Sequence, residues 1–348
     1  LTISNWDIGI LEEKSTWLLH PRFFPSKVGG KPAWLDLKNL ISTSDLLCNK
    51  CNEVLVFLCQ VYAPFEELEY CFHRSIFIFI CKNGSCCQLN SSDNFKVFRC
   101  QLSRKNEFYS FEPYEENENE NFCMEKWPKL CYVCGIKGPS HCSKCKNVYY
   151  CSRKHQVLHW QKGHKTLCDN LKKMDDSNFK VADAGKDLLF KEWEILVDEE
   201  DPEVKNVDVN QELDKLSKMT QNKKAGTLND INEAELEEYT RNLPEDKVFN
   251  KFSKRIARHP DQVLRYDRGG EPLWITSNSK SSVPKCQYCQ GERQFEFQIM
   301  PQLLNFINVG IELNSIDWGV LAIYTCKRSC NEGPAYKEEV LIKQDLSN

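Results

Sequence analysis

The chain has 348 residues, 28% of them charged, with a net charge of −4 and a pI near 6.1. This acidic balance argues against a dedicated nucleic-acid binder, and no apolar run approaches the length that a transmembrane helix needs. Nineteen cysteines, an odd number, read as metal ligands in a reducing compartment rather than as a disulfide framework.

In chain order, Leu1–Leu11 carry one acidic residue, Asp7, and no basic n-region, so no signal peptide is expected. Residues 1–111 read as the N-terminal half of a composite domain. Its runs Leu55–Leu58 and Ile76–Ile80 are short, apolar and rich in β-branched and aromatic residues, which predicts strands. Residues 112–127 are acidic, Asn-rich and without periodicity, a linker. Residues 128–170 are dense in Cys, His and Lys. The spacing of Leu188, Leu189, Trp193 and Leu196 predicts a helix over 171–197. The stretch 192–246 holds 17 Asp+Glu against 6 Lys+Arg; residues 171–246 read as a helix followed by an acidic, partly disordered linker, with 198–230 expected to be disordered. Residues 247–348 form the C-terminal half, with local helices expected at 260–266 and 301–308 and strands at Phe295–Ile299 and Val320–Tyr324.

The two outer segments repeat one order of features. Gly29–Trp34 (GGKPAW) matches Gly269–Trp274 (GGEPLW). Each is followed by a C-x2-C pair, Cys48/Cys51 and Cys286/Cys289. Each ends in an apolar run and a second pair, Cys81/Cys86 and Cys326/Cys330. The pattern reads as two copies of one unit packed together, because each copy alone has too few strands to bury both sheet faces. The expected class is α+β: a sheet-rich composite of duplicated halves with an inserted zinc-stabilised finger and an acidic flexible linker.

The densest motif is Cys131-x2-Cys134-x7-Cys142-x2-Cys145-x5-Cys151-x3-His155-x8-His164-x3-Cys168. Eight thiol and imidazole ligands within 38 residues suit two tetrahedral zinc sites. A segment with so little apolar core depends on zinc for most of its folding free energy. With Tyr149, Tyr150, Gln156 and Trp160 around it, the motif resembles a MYND finger. That resemblance implies alternating ligation: Cys131, Cys134, Cys151 and His155 on one zinc, Cys142, Cys145, His164 and Cys168 on the other. His155 stands where many such fingers have Cys. The resemblance also places Ser143, Gln156 and Trp160 where such fingers contact proline-containing peptides. His155 and His159 are spaced like the pair of a metalloprotease helix, but Gln156 replaces the catalytic Glu, so His159 reads as a surface histidine.

Cys286, Cys289, Cys326 and Cys330 have zinc-ribbon spacing, and Cys48, Cys51, Cys81 and Cys86 are the counterpart. Cys87 is the alternative to Cys86, and buried thiols are the alternative to both outer sites. Cys59, Cys71, Cys100 and Cys123 are unpaired in spacing and read as core or surface thiols. The finger segment 131–168 has seven Lys+Arg and no Asp or Glu. It could attract RNA or the chain's own acidic stretch. There is no nucleophile elbow, P-loop or dinucleotide fingerprint, and closed four-ligand sets leave no catalytic metal position, so no enzyme is expected.

Phe24–Gly30 (FPSKVGG), Gln60–Pro64 (QVYAP), Phe72–Ile76 (FHRSI), Val97–Arg99 (VFR) and Arg104–Ser110 (RKNEFYS) resemble the programmed cell death protein 2 family. So do Gln262–Tyr266 (QVLRY), Phe295–Leu304 (FEFQIMPQLL) and Asp317–Gly319 (DWG). The resemblance implies zinc as cofactor and a location in cytoplasm and nucleus. It implies a non-enzymatic chaperone for one newly made small-subunit ribosomal protein, of the universal S-five type, delivered to the assembling 40S particle. Such a client is basic, so a holder should offer acid and an apolar or strand-pairing groove. The glycine-pair motifs are the candidate groove. A corepressor adaptor working through the finger, or an RNA binder using its basic face, is the alternative. A monomer apart from its client is expected.

Overall fold

The computed structural model describes residues 6–117, 129–171, 185, 188–200, 247–277, 282–307, 309 and 315–346. The strands are β1 (Asp7–Glu12), β2 (Lys27–Val28), β3 (Val56–Tyr62), β4 (His73–Ile80) and β5 (Phe95–Leu102). The finger contributes β6 (Ser140–His141), β7 (Tyr149–Tyr150), α1 (Arg153–His159) and α2 (Lys165–Leu171). Then follow β8 (Trp193–Glu199), α3 (Lys247–Ile256), β9 (Leu264–Tyr266), β10 (Arg293–Ile299), α4 (Leu303–Phe306), β11 (Val320–Cys326) and β12 (Tyr336–Gln344). The protein is sheet-rich with few helices among the described residues.

Ten antiparallel strands close into one barrel in the order β1-β8-β2-β3-β4-β5-β12-β11-β10-β9. Alternation along β4 shows how both faces are used. Ile76, Ile78 and Ile80 join Val97, Phe297, Leu321 and Leu341 in one cluster that draws on both outer segments. Phe77 and Phe79 point the other way, onto Trp34, Leu35 and Leu37. Every residue of β4 is buried, which explains a run with no polar alternation.

β1 lies not beside β2 but between β8 and β9, and β8 lies between β1 and β2. Within the barrel the two segments carry matching bonds. Ala33 N–H donates to Gln60 Oε1 at 2.8 Å, and Gln60 Nε2 donates back to the Ala33 carbonyl at 3.2 Å. Leu273 N–H donates to Gln298 Oε1 at 2.7 Å, and Gln298 Nε2 to the Leu273 carbonyl at 3.3 Å. β3 shifts register between Phe57 and Cys59, and β10 between Phe295 and Phe297.

Three local expectations change. The helix expected over 171–197 gives way to strand β8 at its C-terminal end. Ile195 and Val197 are β-branched, and six cross-strand pairs with β1 outweigh the helix-like spacing. Leu188 and Leu189 instead pack onto the outer cluster before the strand begins. The helix expected at 260–266 is a turn followed by β9. Between Pro301 and Ile307 the helix is confined to α4. Most of the expected linkers, residues 118–127 and 201–246, lies outside the described residues.

The glycine pair is occupied by the chain itself. Gly29 has φ +66°, and a Cβ there would lie 2.1 Å from the Lys191 carbonyl. Gly30 N–H donates to the Phe190 carbonyl at 3.0 Å. The pair therefore admits the segment that enters β8, and it is not an open groove.

Part of the barrel is polar. Arg74 and Glu296 are both fully buried and paired through two contacts, one of them 2.7 Å. Tyr266 and Thr325 hydroxyls also donate to Glu296. Burial alone would push the Glu296 carboxyl up, but Arg74, Arg268 and Thr325 outweigh it and hold it below its ordinary value. Glu339 takes Arg99 at 2.7 Å and Arg293 at 2.8 Å. Neutralising one member of a buried pair leaves the other charge uncompensated. Glu296→Gln is therefore expected to lower the unfolding free energy by about 3–5 kcal/mol, measured by equilibrium urea denaturation; an unchanged midpoint would show that the pair adds nothing to stability.

Candidate metal centres and finger surface

Four sets of side chains converge, each with its ligand atoms within 4.8 Å of one another. They are Cys48, Cys51, Cys81 and Cys86; Cys131, Cys134, Cys151 and His155; Cys142, Cys145, His164 and Cys168; and Cys286, Cys289, Cys326 and Cys330. Each metal position expected from sequence falls in one of the four, and the two finger sets interleave along the chain.

One backbone device builds all four. The residue four places after the first Cys of each C-x2-C pair is left-handed: Asn52 (φ 57°), Gly135 (φ 73°), Lys146 (φ 63°) and Gln290 (φ 57°). In each loop its N–H donates to the carbonyl of that first Cys, at 3.0, 2.8, 2.9 and 2.8 Å respectively. The loop thus turns back on itself and points both thiols to one place. Gly135, and less strongly Asn52, signal this in the sequence, whereas Lys146 and Gln290 adopt the conformation under tertiary constraint.

The separations fit zinc. Sγ–Sγ distances are 3.6 Å for Cys51–Cys81, 3.6 Å for Cys134–Cys151, 3.8 Å for Cys142–Cys168, 3.7 Å for Cys286–Cys330 and 3.6 Å for Cys289–Cys326. A disulfide needs about 2.05 Å. A zinc tetrahedron with bonds of about 2.3 Å has edges of about 3.8 Å. His155 presents Nδ1 to Cys151 and Cys131, at 3.0 and 3.6 Å, and His164 presents Nε2 to Cys145 at 3.6 Å. Burial opposes ionisation of Cys289, but Arg328, the Gly291 N–H and the neighbouring thiols outweigh it and hold the thiol down to about 6. That favours the thiolate that zinc takes. The cofactor is zinc, held by residues from these sets as a structural ion.

Cys86 joins its cluster, whereas the Cys87 thiol turns to the Asp317 carbonyl at 3.0 Å. Cys59, Cys71 and Cys100 are buried thiols outside the four sets, and Cys123 lies outside the described residues. His159 is fully buried, not on the surface. Its ring stacks on Tyr132 at 4.1 Å, and its Nδ1 meets the Tyr150 hydroxyl at 3.0 Å. Burial pulls it down to about 4. The sequence hid this because α1 bends straight into a second helix at Gly163 (φ 138°), which brings His164 to 4.8 Å from His159.

The finger docks through one of its two centres. Cys131, Val133, Cys134, Ile136 and Cys151 belong to the same cluster as Trp34, Phe57 and Phe79. Trp34 Nε1 donates to the Gly135 carbonyl at 2.7 Å, and the Lys31 ammonium sits 5.1 Å from the Tyr132 ring. Among the described residues the second centre's apolar cluster holds Val148 and Tyr150, with Tyr132 and Trp160 packed against it. Ser143 is exposed there, and Gln156 and Trp160 are half-buried. Trp274 is half-buried, unlike Trp34, which is fully enclosed beneath the finger.

Comparison with known proteins agrees with this division. Family models match at residues 5–116 (Programmed cell death protein 2, N-terminal domain), 246–345 (Programmed cell death protein 2, C-terminal putative domain) and 131–168 (MYND finger). The chain belongs to the programmed cell death protein 2 family. It is 41% identical to Programmed cell death protein 2 of Mus musculus, over 98% of this chain and 97% of that protein. It is 26% identical to Programmed cell death protein 2-like of the same organism, over 92% of this chain and 90% of that protein. A family relative in Schizosaccharomyces pombe, Probable 20S rRNA accumulation protein 4, is 35% identical over 32% of this chain and 31% of its own length. No solved structure matches the chain.

The two finger centres should separate experimentally. Cys131→Ser is expected to lose one zinc and to lower the thermal midpoint of the whole barrel, because its centre is part of the outer cluster. Cys142→Ser should lose one zinc and leave the barrel transition in place. Native mass spectrometry counts the metal, four per chain in the unmutated protein, and calorimetry reads the transition. Equal midpoint losses for both variants would contradict the docking geometry.

Proposed function

We propose that this protein is a non-enzymatic chaperone or adaptor that holds a newly made small-subunit ribosomal protein, of the universal S-five type, and supports 40S assembly. The observation that carries this reading is membership of a family that includes a relative named for 20S rRNA accumulation. The site chemistry is consistent with it. Four closed four-ligand sets serve structure, and among the described residues no metal set keeps an open position for a substrate. The reading includes a location in cytoplasm and nucleus. It also takes residues 1–111 and 247–348 as duplicated halves, supported by the matching Gln60 and Gln298 bonds.

A second reading concerns the finger. Ser143 and Trp160 belong to the second centre's part of the finger, and Ser143 is exposed while Gln156 and Trp160 are half-buried, so all three have access to solvent. A corepressor-type peptide could dock there. Affinity purification of the protein from translating cells, followed by native mass spectrometry, distinguishes the two. A one-to-one complex with one small-subunit ribosomal protein, retained in Gln156→Ala, is the expected result. Corepressor peptides or RNA in place of a ribosomal protein, lost in Gln156→Ala, would overturn it.

A further inference from the structure

The barrel closes in strand order, but one seam is paired over only part of its length. β8 meets β2 through Trp193 and Glu194, and Ile195 N–H donates to the Ser26 carbonyl at 2.8 Å. Beyond that point the partner strand turns away. Pro25 has no N–H to offer, and Phe24 is left-handed, at φ 50°. The other edge of β8 continues along β1 as far as Glu199.

The orientation of the free groups follows from the ladder. Ile195 N–H points away from β1, to Ser26, and the Gly9 carbonyl points away from β8, to Val263 N–H at 2.8 Å. Antiparallel pairs alternate strictly. Leu196 and Asp198 therefore bond to β1, while Val197 and Glu199 turn their backbone groups outward. Glu199 N–H is taken by its neighbour Asp198 at 2.8 Å. Among the described residues the outward groups of Val197 have no strand partner.

The surface around this edge has a definite character. Val197 is 44% exposed and Ile10, one strand over, is 39% exposed. Asp7 stands directly opposite Glu199, and Ile8 opposite Asp198. Like charges directly opposite each other destabilise a sheet. None of Asp7, Asp198 and Glu199 forms an ion pair among the described residues. Burial, Glu199, Asp267 and Asp198 together push the Asp7 carboxyl above its ordinary value. An incoming cationic strand would relieve that repulsion.

We propose that the outward edge of β8 at Val197–Glu199, flanked by Asp7 and Ile10, is a strand-addition site for an extended segment rich in Lys and Arg. Backbone bonds to Val197 fix the segment; the side chains on one of its faces carry cations to Asp7 and Glu199, which share the Val197 face, and those on its other face lie over the Ile10 face, beside Asp198. The acidic surface turns away nucleic acid. That the segment belongs to a ribosomal protein rests on the function proposed above; the site itself does not.

The test uses the full chain and a fluorescein-labelled alternating Arg-Val decapeptide, followed by fluorescence anisotropy. The unmutated protein should bind it, more weakly as salt rises, and ignore an alternating Glu-Val peptide. The double variant Asp198→Lys with Glu199→Lys should weaken binding about tenfold or more. Glu107→Lys with Glu292→Lys makes the same charge change at exposed positions elsewhere and should leave binding in place. Hydrogen exchange at the Val197 amide should be fast in the free protein and slow in the complex. The proposal is overturned by absence of binding, by equal losses in both double variants, or by a Val197 amide already protected in the free chain. Ribosomal-protein capture separates the two proposals. If the Asp198/Glu199 double variant captures the client normally, the site is wrong and the chaperone reading stands. If the unmutated protein captures no ribosomal protein yet binds the peptide at β8, the site stands and the client is another basic protein.

Discussion

Closure of the barrel depends on β1 pairing with β8. Neither outer segment has enough strands to enclose a core; the N-terminal segment sends β1 across to β9, and β8, from the stretch between the segments, reaches back to β2. β1 borders β9, β8 borders β2, and six cross-strand pairs join the two. Without that pairing the interior cluster, built from Ile76, Ile78, Phe297 and Leu341, would face water along one seam. The glycine pair at 29–30 exists to let the β8 entry lie close, which ties a local sequence motif to a contact 160 residues away.

Zinc does for the periphery what the apolar cluster does for the interior. Loops that carry few apolar residues are fixed by four ligands each, and left-handed residues after each first Cys set the turn. The two finger centres differ in setting rather than in chemistry. One is continuous with the outer cluster around Trp34, while the other stands with a small cluster of its own. Destabilising the first therefore reaches the barrel, and the second supports a surface that is free to meet other molecules.

Buried charge adds a further constraint. Arg74–Glu296 and Arg99–Glu339–Arg293 lie where hydrocarbon would otherwise fill the barrel. Arg99 also donates to the Cys330 carbonyl at 3.2 Å, so this network touches the fourth metal set. Such pairs are costly to desolvate and demand mutual geometry, so they favour one register of the two segments over its neighbours.

The sequence by itself determined the metal chemistry, the finger and the family, because ligand spacing and short motifs are local and survive without coordinates. It also exposed the repeated order of features in the outer segments. The tertiary structure alone decided the rest. Trp193–Glu199 became a strand because β1, far away in sequence, offered a ladder that local spacing could not reveal. His159 became buried because Gly163 bends the finger's helix and folds His164 beside it. Asp7 and Glu199 became neighbours on one face only when the two strands met, with Asp198 beside them on the opposite face, since charge counts along the chain do not say which carboxylates share a face.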